Sequence, residues 1–192
     1  MKLKICGIQT LDDIASINGT GVDYAGFVFV SGHRQEVSID RARELRAALD
    51  PSITAVGVFV NEPYELIKRI VDEGIIDAVQ FHGDREYSMN VLTLRGMVIS
   101  SEQDIKATVS DYVVFDGHWN GAIGSTGGTF DWRLVEGYKE KPFFLAGGIN
   151  IGNIKEAMAY KPYGIDMSSG AEEEGRKSRR KIIELVNVCK VH

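Results

Sequence analysis

Short apolar runs rich in β-branched and aromatic residues recur along the whole chain, at 3–5, 24–30, 54–60, 78–81, 112–115, 142–146 and 165–167, with a weaker one at 97–99. Their apolar character is continuous rather than alternating, which suits strands covered on both faces, as in a parallel sheet. Between them lie segments with charged faces and helix-start chemistry. Thr10 or Asp12 opens the first, Ser38 with Arg41 the second, Asn61-Glu62-Pro63 the third and Asn150 the seventh. The last, near 178–188, sets Ile182, Ile183, Leu185 and Val186 on one stripe. Strand and helix alternate from end to end without a linker, so the pattern predicts a single α/β domain over residues 1–192, a (β/α)8 barrel. Dividing 192 residues by eight units leaves ~24 per unit, against a usual barrel length of ~250 residues. Loops must therefore be short, and some helices only a turn or two. An open doubly wound sheet is the rival architecture, but its signature Gly-x-Gly-x-x-Gly does not follow the first strand, where the chain reads Cys6-Gly7-Ile8-Gln9.

The polar and glycine-rich departures cluster at the carboxyl ends of these strands. They are Cys6-Gly7, 31–34, Asn61, His82-Gly83-Asp84, Asp116-Gly117, Gly147-Gly148 and Ser168-Ser169-Gly170. In a barrel all of them converge on one rim, where barrel active sites are built. Gly147-Gly148, followed by a helix start at Asn150, and Ser168-Ser169-Gly170 one strand later occupy the two positions from which barrels commonly hold phosphate through backbone N–H groups. The alternative for both is a tight turn made by glycine.

Composition narrows the function. The chain has 22 basic and 27 acidic residues, a net charge of 22 − 27 = −5, which argues against nucleic-acid binding through a broad basic surface. No apolar stretch is long enough to span a bilayer and no signal-peptide core opens the chain, so a cytoplasmic protein without membrane partners is expected. Cys6 and Cys189 are not expected to form a disulfide framework in a reducing compartment. His33, His82, His118 and His192 are scattered, with no metal-ligand spacing, and no metal or cofactor is expected. The 21 glycines, about 11% of the chain against a usual ~7%, point to backbone that approaches something closely.

Seven ordered segments resemble the phosphoribosylanthranilate isomerase family. They are Lys4-Ile5-Cys6-Gly7-Ile8, Gly26-Phe27-Val28-Phe29, Val56-Gly57-Val58-Phe59-Val60-Asn61, Val79-Gln80-Phe81-His82-Gly83-Asp84, Thr129-Phe130-Asp131-Trp132, Leu145-Ala146-Gly147-Gly148-Ile149-Asn150 and Ile165-Asp166-Met167-Ser168-Ser169-Gly170. The resemblance implies an aldose–ketose isomerase of tryptophan biosynthesis. Its reaction is an Amadori rearrangement of N-(5-phosphoribosyl)anthranilate to 1-(2-carboxyphenylamino)-1-deoxyribulose 5-phosphate, with no cofactor. It further implies that Cys6 is the general base removing the C2 proton, that Asp116 is the general acid protonating the furanose oxygen, and that Arg34 meets the anthranilate carboxylate. Gly147, Gly148, Ser168, Ser169 and Gly170 would hold the phosphate, and His82 would support the rim. The state would be monomer or homodimer, with a small sugar phosphate as the only partner. Cys6 then needs help to form a thiolate, and Asp116 needs a raised pKa to stay protonated.

The chain departs from the family pattern in three loops. An extra residue separates Ser31 from Arg34, Ser100-Ser101 follow Val98-Ile99 where a lysine is common, and Gly124-Ser125-Thr126-Gly127-Gly128 carries Ser125 and Gly128 in place of a glycine and a lysine. Two other readings stay open: a barrel with the same phosphate cradle but epimerase or synthase chemistry, and a degenerate barrel that binds a sugar phosphate without turnover.

Overall fold

The apolar runs become strands because both faces of each are covered, one by helices and the other by the opposite wall of a barrel. In the computed structural model, which describes residues 1–117 and 129–190, the eight strands are β1 (Lys2–Cys6), β2 (Tyr24–Val28), β3 (Thr54–Val60), β4 (Ala78–His82), β5 (Leu92–Val98), β6 (Tyr112–Asp116), β7 (Phe143–Leu145) and β8 (Gly164–Met167). Each pairs with the next in parallel and β8 pairs with β1, closing the barrel expected from the sequence. Five α-helices lie outside among the described residues: α1 (Leu11–Ile17), α2 (Ile39–Ala48), α3 (Tyr64–Asp72), α4 (Ile154–Ala159) and α5 (Arg179–Lys190). The compact length is met where expected, in the connections. No helix joins β4 to β5, and among the described residues single 3-10 turns at Glu102–Asp104 and Trp132–Val135 stand between β5 and β6 and between β6 and β7.

Strand alternation divides the core in two. Leu3, Ile5, Ala25, Phe27, Phe59, Phe81 and Phe115 face outward and pack with the helices, whereas Tyr24, Val56, Ala78, Leu94, Val114, Phe144 and Ala146 form a separate cluster inside the barrel. The interior is thus a packed core and not a pore. Its amino-terminal end is plugged by rings: Tyr24 meets Phe144 edge-on at 5.4 Å, and Tyr112 lies 4.7 Å from Tyr163.

Helix starts follow the sequence in part. Thr10 caps α1 in a reciprocal capping box with Asp13, and the Ser38 hydroxyl accepts from the Arg41 amide at the start of α2. Asp131 accepts from the Arg133 amide and caps a single 3-10 turn. Asn150 does not open the seventh helix. Its side chain accepts from the Gly152 amide at 2.9 Å while its own amide donates to Asn153, forming a turn that delays α4 to Ile154. Asn61 does not cap α3 either; it sits at φ +62°, and its side-chain oxygen accepts from the amides of Asp84 and Arg85 at 2.7 and 2.9 Å, tying the end of β3 to the turn after β4. β5 begins at Leu92, five residues before the run at 97–99, because Arg95 interrupts the apolar pattern while its guanidinium is satisfied by the carbonyls of Gly83 and Arg85. A small antiparallel hairpin of β9 (Glu172–Glu173) and β10 (Arg176–Lys177), absent from the sequence reading, follows β8. The glycine-rich loop at 124–128, with His118 and His192, lies outside the described residues.

Candidate active site

The carboxyl-terminal half of the barrel interior is polar. On β1, Lys4 and Cys6 both face inward, and Lys4 is fully buried. Lys4 pairs across the ladder with Asp166 on β8, and its ammonium donates to one Asp166 carboxylate oxygen at 2.7 Å. The other Asp166 oxygen is buried and meets no partner among the described residues. The Lys4 ammonium and the Cys6 sulfur also act on each other electrostatically. Burial alone would lower the pKa of Lys4; Asp166 and Cys6 outweigh that and leave it raised.

Cys6 ends β1 opposite Gly26, where a Cβ would lie 2.7 Å from the sulfur, so the bare backbone of β2 makes room for the thiol. Burial pushes its pKa above the ordinary thiol value; Lys4 is the main opposing influence, Asp166 pushes further up, and Lys177 pulls down. The expected local help therefore exists, in Lys4 and Lys177, but burial outweighs it in the unliganded protein. Cys6 and the fully buried Cys189 are both free thiols.

Asp116 ends β6, so the parallel closed barrel sets it on the same rim as Cys6. Burial, reinforced by Asp166 and opposed by Lys4, raises its carboxyl to about 7, as its expected role requires. Gly147 at φ +80° lets the loop after β7 close on it: a Cβ there would lie 2.5 Å from the Gly117 nitrogen and 2.9 Å from an Asp116 oxygen. His82 ends β4 and is buried, with its Nε2 2.8 Å from the Gln80 amide nitrogen. Its ring lies over Gly96 on β5, where a Cβ would come within 2.2 Å of it. Burial, followed by Lys4 and Arg95, lowers its pKa to about 3, so it is neutral near neutrality.

The loops after β7 and β8 meet directly, since a Cβ on Gly170 would lie 2.0 Å from the Ile149 carbonyl oxygen. Among the described residues, the amides of Gly147, Gly148, Ser169 and Gly170 meet no protein acceptor. Ser168 is already engaged: its hydroxyl and the Gln35 carboxamide exchange hydrogen bonds at 2.9 and 3.0 Å. Arg34 is half-exposed in the loop after β2 and points its guanidinium at Glu172, 3.4 Å away. Glu172 also receives Lys177 at 2.8 Å and Gln35 at 3.0 Å, so the loops after β2 and β8 share one buried polar junction.

Sequence reasoning had not assigned Lys4, Gln35, Asp166, Glu172 or Lys177 to the site. Lys4 and Asp166 did leave a signal, each a charge inside an otherwise apolar strand run. Lys177 left none, because its strand is two residues long.

The family model for N-(5'phosphoribosyl)anthranilate (PRA) isomerase matches residues 3–188. The N-(5'-phosphoribosyl)anthranilate isomerase of Endomicrobium trichonymphae is 36% identical, with 98% of each chain covered. That of Bacillus cereus strain G9842 is 38% identical over 97% of this chain and 96% of the relative. Among solved structures, phosphoribosyl anthranilate isomerase from Thermotoga maritima superposes with a TM-score of 0.86 at 29% identity, with both chains fully covered. Another structure of a phosphoribosyl anthranilate isomerase, in complex with reduced 1-(O-carboxyphenylamino)-1-deoxyribulose 5-phosphate, superposes with a TM-score of 0.83 at 27% identity, again over the whole of both chains.

Proposed function

Since this chain belongs to the N-(5'-phosphoribosyl)anthranilate isomerase family, we propose that its barrel rim carries out the Amadori rearrangement of tryptophan biosynthesis with Asp116 as the acid and Cys6 as the base. The neutral Asp116 carboxyl gives its proton to the furanose oxygen as the C1–O bond breaks, and the nitrogen lone pair forms the C1–N double bond. The Cys6 thiolate then takes the C2 proton, leaving an enolamine that tautomerises to the aminoketose. One proton is delivered and one removed, and the substrate is neither oxidised nor reduced overall.

The observation that supports this reading most is the raised carboxyl of Asp116, about 7. An ordinary aspartate near 3.9 is ionised at neutral pH and has no proton to give, whereas a carboxyl raised this far holds its proton up towards neutrality. The sugar phosphate would lie with its phosphate against the amides of Gly147, Gly148, Ser169 and Gly170. Ser168, held by Gln35, would shape that cradle. Arg34 would exchange Glu172 for the anthranilate carboxylate, which its planar fork can meet with two hydrogen bonds. His82, neutral and tied to Gln80, would support the rim without exchanging protons.

The test is loss of substrate fluorescence with purified protein. The wild-type chain turns substrate over, while Cys6→Ser and Asp116→Asn bind it and do not. Undiminished turnover by either variant overturns that residue's role. A wild-type chain that binds substrate and never consumes it would instead be the degenerate, binding-only barrel.

A further inference from the structure

We propose that Lys4 is a positioning residue for the proton abstraction: its buried ammonium, itself anchored by Asp166, is the charge that favours the thiolate of Cys6 against the cost of burial. The inference rests on the reading of Cys6 as base and assigns a role to a pair of charges which that reading does not use.

Residues two apart on a strand face the same side and are separated by about 6.6 Å along it. Lys4 and Cys6 stand in this relation on β1, both inward, and the four-carbon stem of a lysine spans such a rise. Asp166, directly across the β1–β8 ladder, fixes the ammonium from one side at 2.7 Å. An ammonium has three donors; Asp166 takes one of those of Lys4, and the ammonium's charge lies along the same inward face as the Cys6 sulfur. The thiol is seated by the bare backbone of Gly26 on its other flank.

Barrel interiors are ordinarily filled by bulky branched side chains, and desolvating two charges there costs more than apolar packing of the same volume. A wholly buried Lys4–Asp166 pair at this depth is therefore a poor device for stability alone. Its location explains it: the pair lies one layer below the atom that must carry negative charge.

The charges facing Cys6 come from three strands. Lys4 is on its own strand, Asp166 is on β8, and Lys177, bound to Glu172, reaches in from β10, while β2 contributes only Gly26. Asp116 on β6 and His82 on β4 face the same Lys4. Of the two cations that act on the sulfur, Lys4 has the larger effect.

The readout is the rate at which iodoacetamide alkylates Cys6 as a function of pH in the intact protein, with the Cys6→Ser chain as the blank for Cys189. Lys4→Met is expected to move the midpoint upward by about one pH unit or more, as loss of an adjacent opposite charge does. Asp166→Asn should move it downward, since a negative neighbour is removed and the ammonium stays. A residue needed only for packing would change turnover or melting temperature and leave both midpoints in place, and that result overturns the proposal. Should Lys4→Met fail to fold with Asp166 left uncompensated, the Lys4→Met/Asp166→Asn double variant is compared with Asp166→Asn. An upward shift supports the assignment, and coincident midpoints overturn it. Alkylation does not depend on catalysis, so failure of Cys6 as the base, seen as turnover by Cys6→Ser, is read separately from failure of Lys4 to control the thiol.

Discussion

The two ends of the barrel interior face inward from one closed ring of strands, yet they do opposite things. At the amino-terminal end the rings of Tyr24, Tyr112, Phe144 and Tyr163 pack edge-on and tilted into an aromatic plug. Two or four residues further along, the inward positions hold Lys4, Cys6, Gln80, His82, Asp116 and Asp166. A side chain at the first end is worth what it buries; one at the second is worth the protonation state it imposes on a neighbour. The contrast teaches that the strand period alone decides what is inside, while depth along the strand decides whether the inside holds the fold together or prepares a reaction.

The sharpest way to break this contrast is to show that the ends are interchangeable. Asp116→Asn keeps the volume and removes the transferable proton, so kcat should fall by about 10²–10⁴ while the melting temperature at pH 7.5 or above does not drop. Phe144→Ala, at a fully buried ring in the plug, should cost about 3–5 kcal/mol of stability in denaturant unfolding and leave KM unchanged wherever the protein stays folded. If Asp116→Asn unfolds the chain, or Phe144→Ala abolishes turnover in folded protein, the division between the two ends is false.

Protonation sharpens the same contrast. Folding raises the Asp116 carboxyl to about 7, whereas the unfolded chain releases that proton near 3.9. The native state thus binds more protons between about pH 4 and 7, so the contribution of Asp116 to stability is lost as pH rises through that window. Asp116→Asn should flatten that part of the pH–stability curve, and an unchanged slope would show that the carboxyl is not held protonated. Activity needs the acid form of Asp116 together with the thiolate of Cys6, whose pKa is raised above the ordinary value. With the acid the lower of the two, kcat/KM should rise up to about pH 7, level off, and fall only above the pKa of the thiol. On the plateau only a minor fraction of enzyme carries the productive pair. Any change that raises the thiol further, as Lys4→Met is expected to do, lowers that plateau tenfold per unit.

How much of this could be read from the chain follows from where each partner lies. The strands were legible because their apolar runs are local, and the rim residues Cys6 and Asp116 because each ends such a run. Lys4 stood out only as a charge in an apolar run, and that signal does not tell it from Lys2 in Lys-Leu-Lys, yet Lys2 is 46% exposed and Lys4 is fully buried. What separates them is an aspartate 162 positions away, a relation that exists only once the barrel closes. Arg95 hid the first half of β5 for the same reason, its carbonyl partners lying in the preceding loop. Asn61 misled differently: a helix-start residue by type, it adopts a left-handed conformation and serves the turn of the neighbouring strand.

The smallest expected effect tests the boundary between the polar end and solvent. Arg34 is 42% exposed, and its contact with Glu172 at 3.4 Å is long, so in the empty protein that pair is worth little and is easily surrendered. Its value would come from presenting two parallel N–H groups to the substrate carboxylate. Arg34→Lys preserves the charge and loses the fork. KM should therefore rise about tenfold, equivalent to ~1.4 kcal/mol, with kcat and melting temperature little changed. An equal fall in kcat would instead mean that the contact is made only in the transition state. That would move Arg34 from the boundary into the chemistry, alongside Cys6 and Asp116.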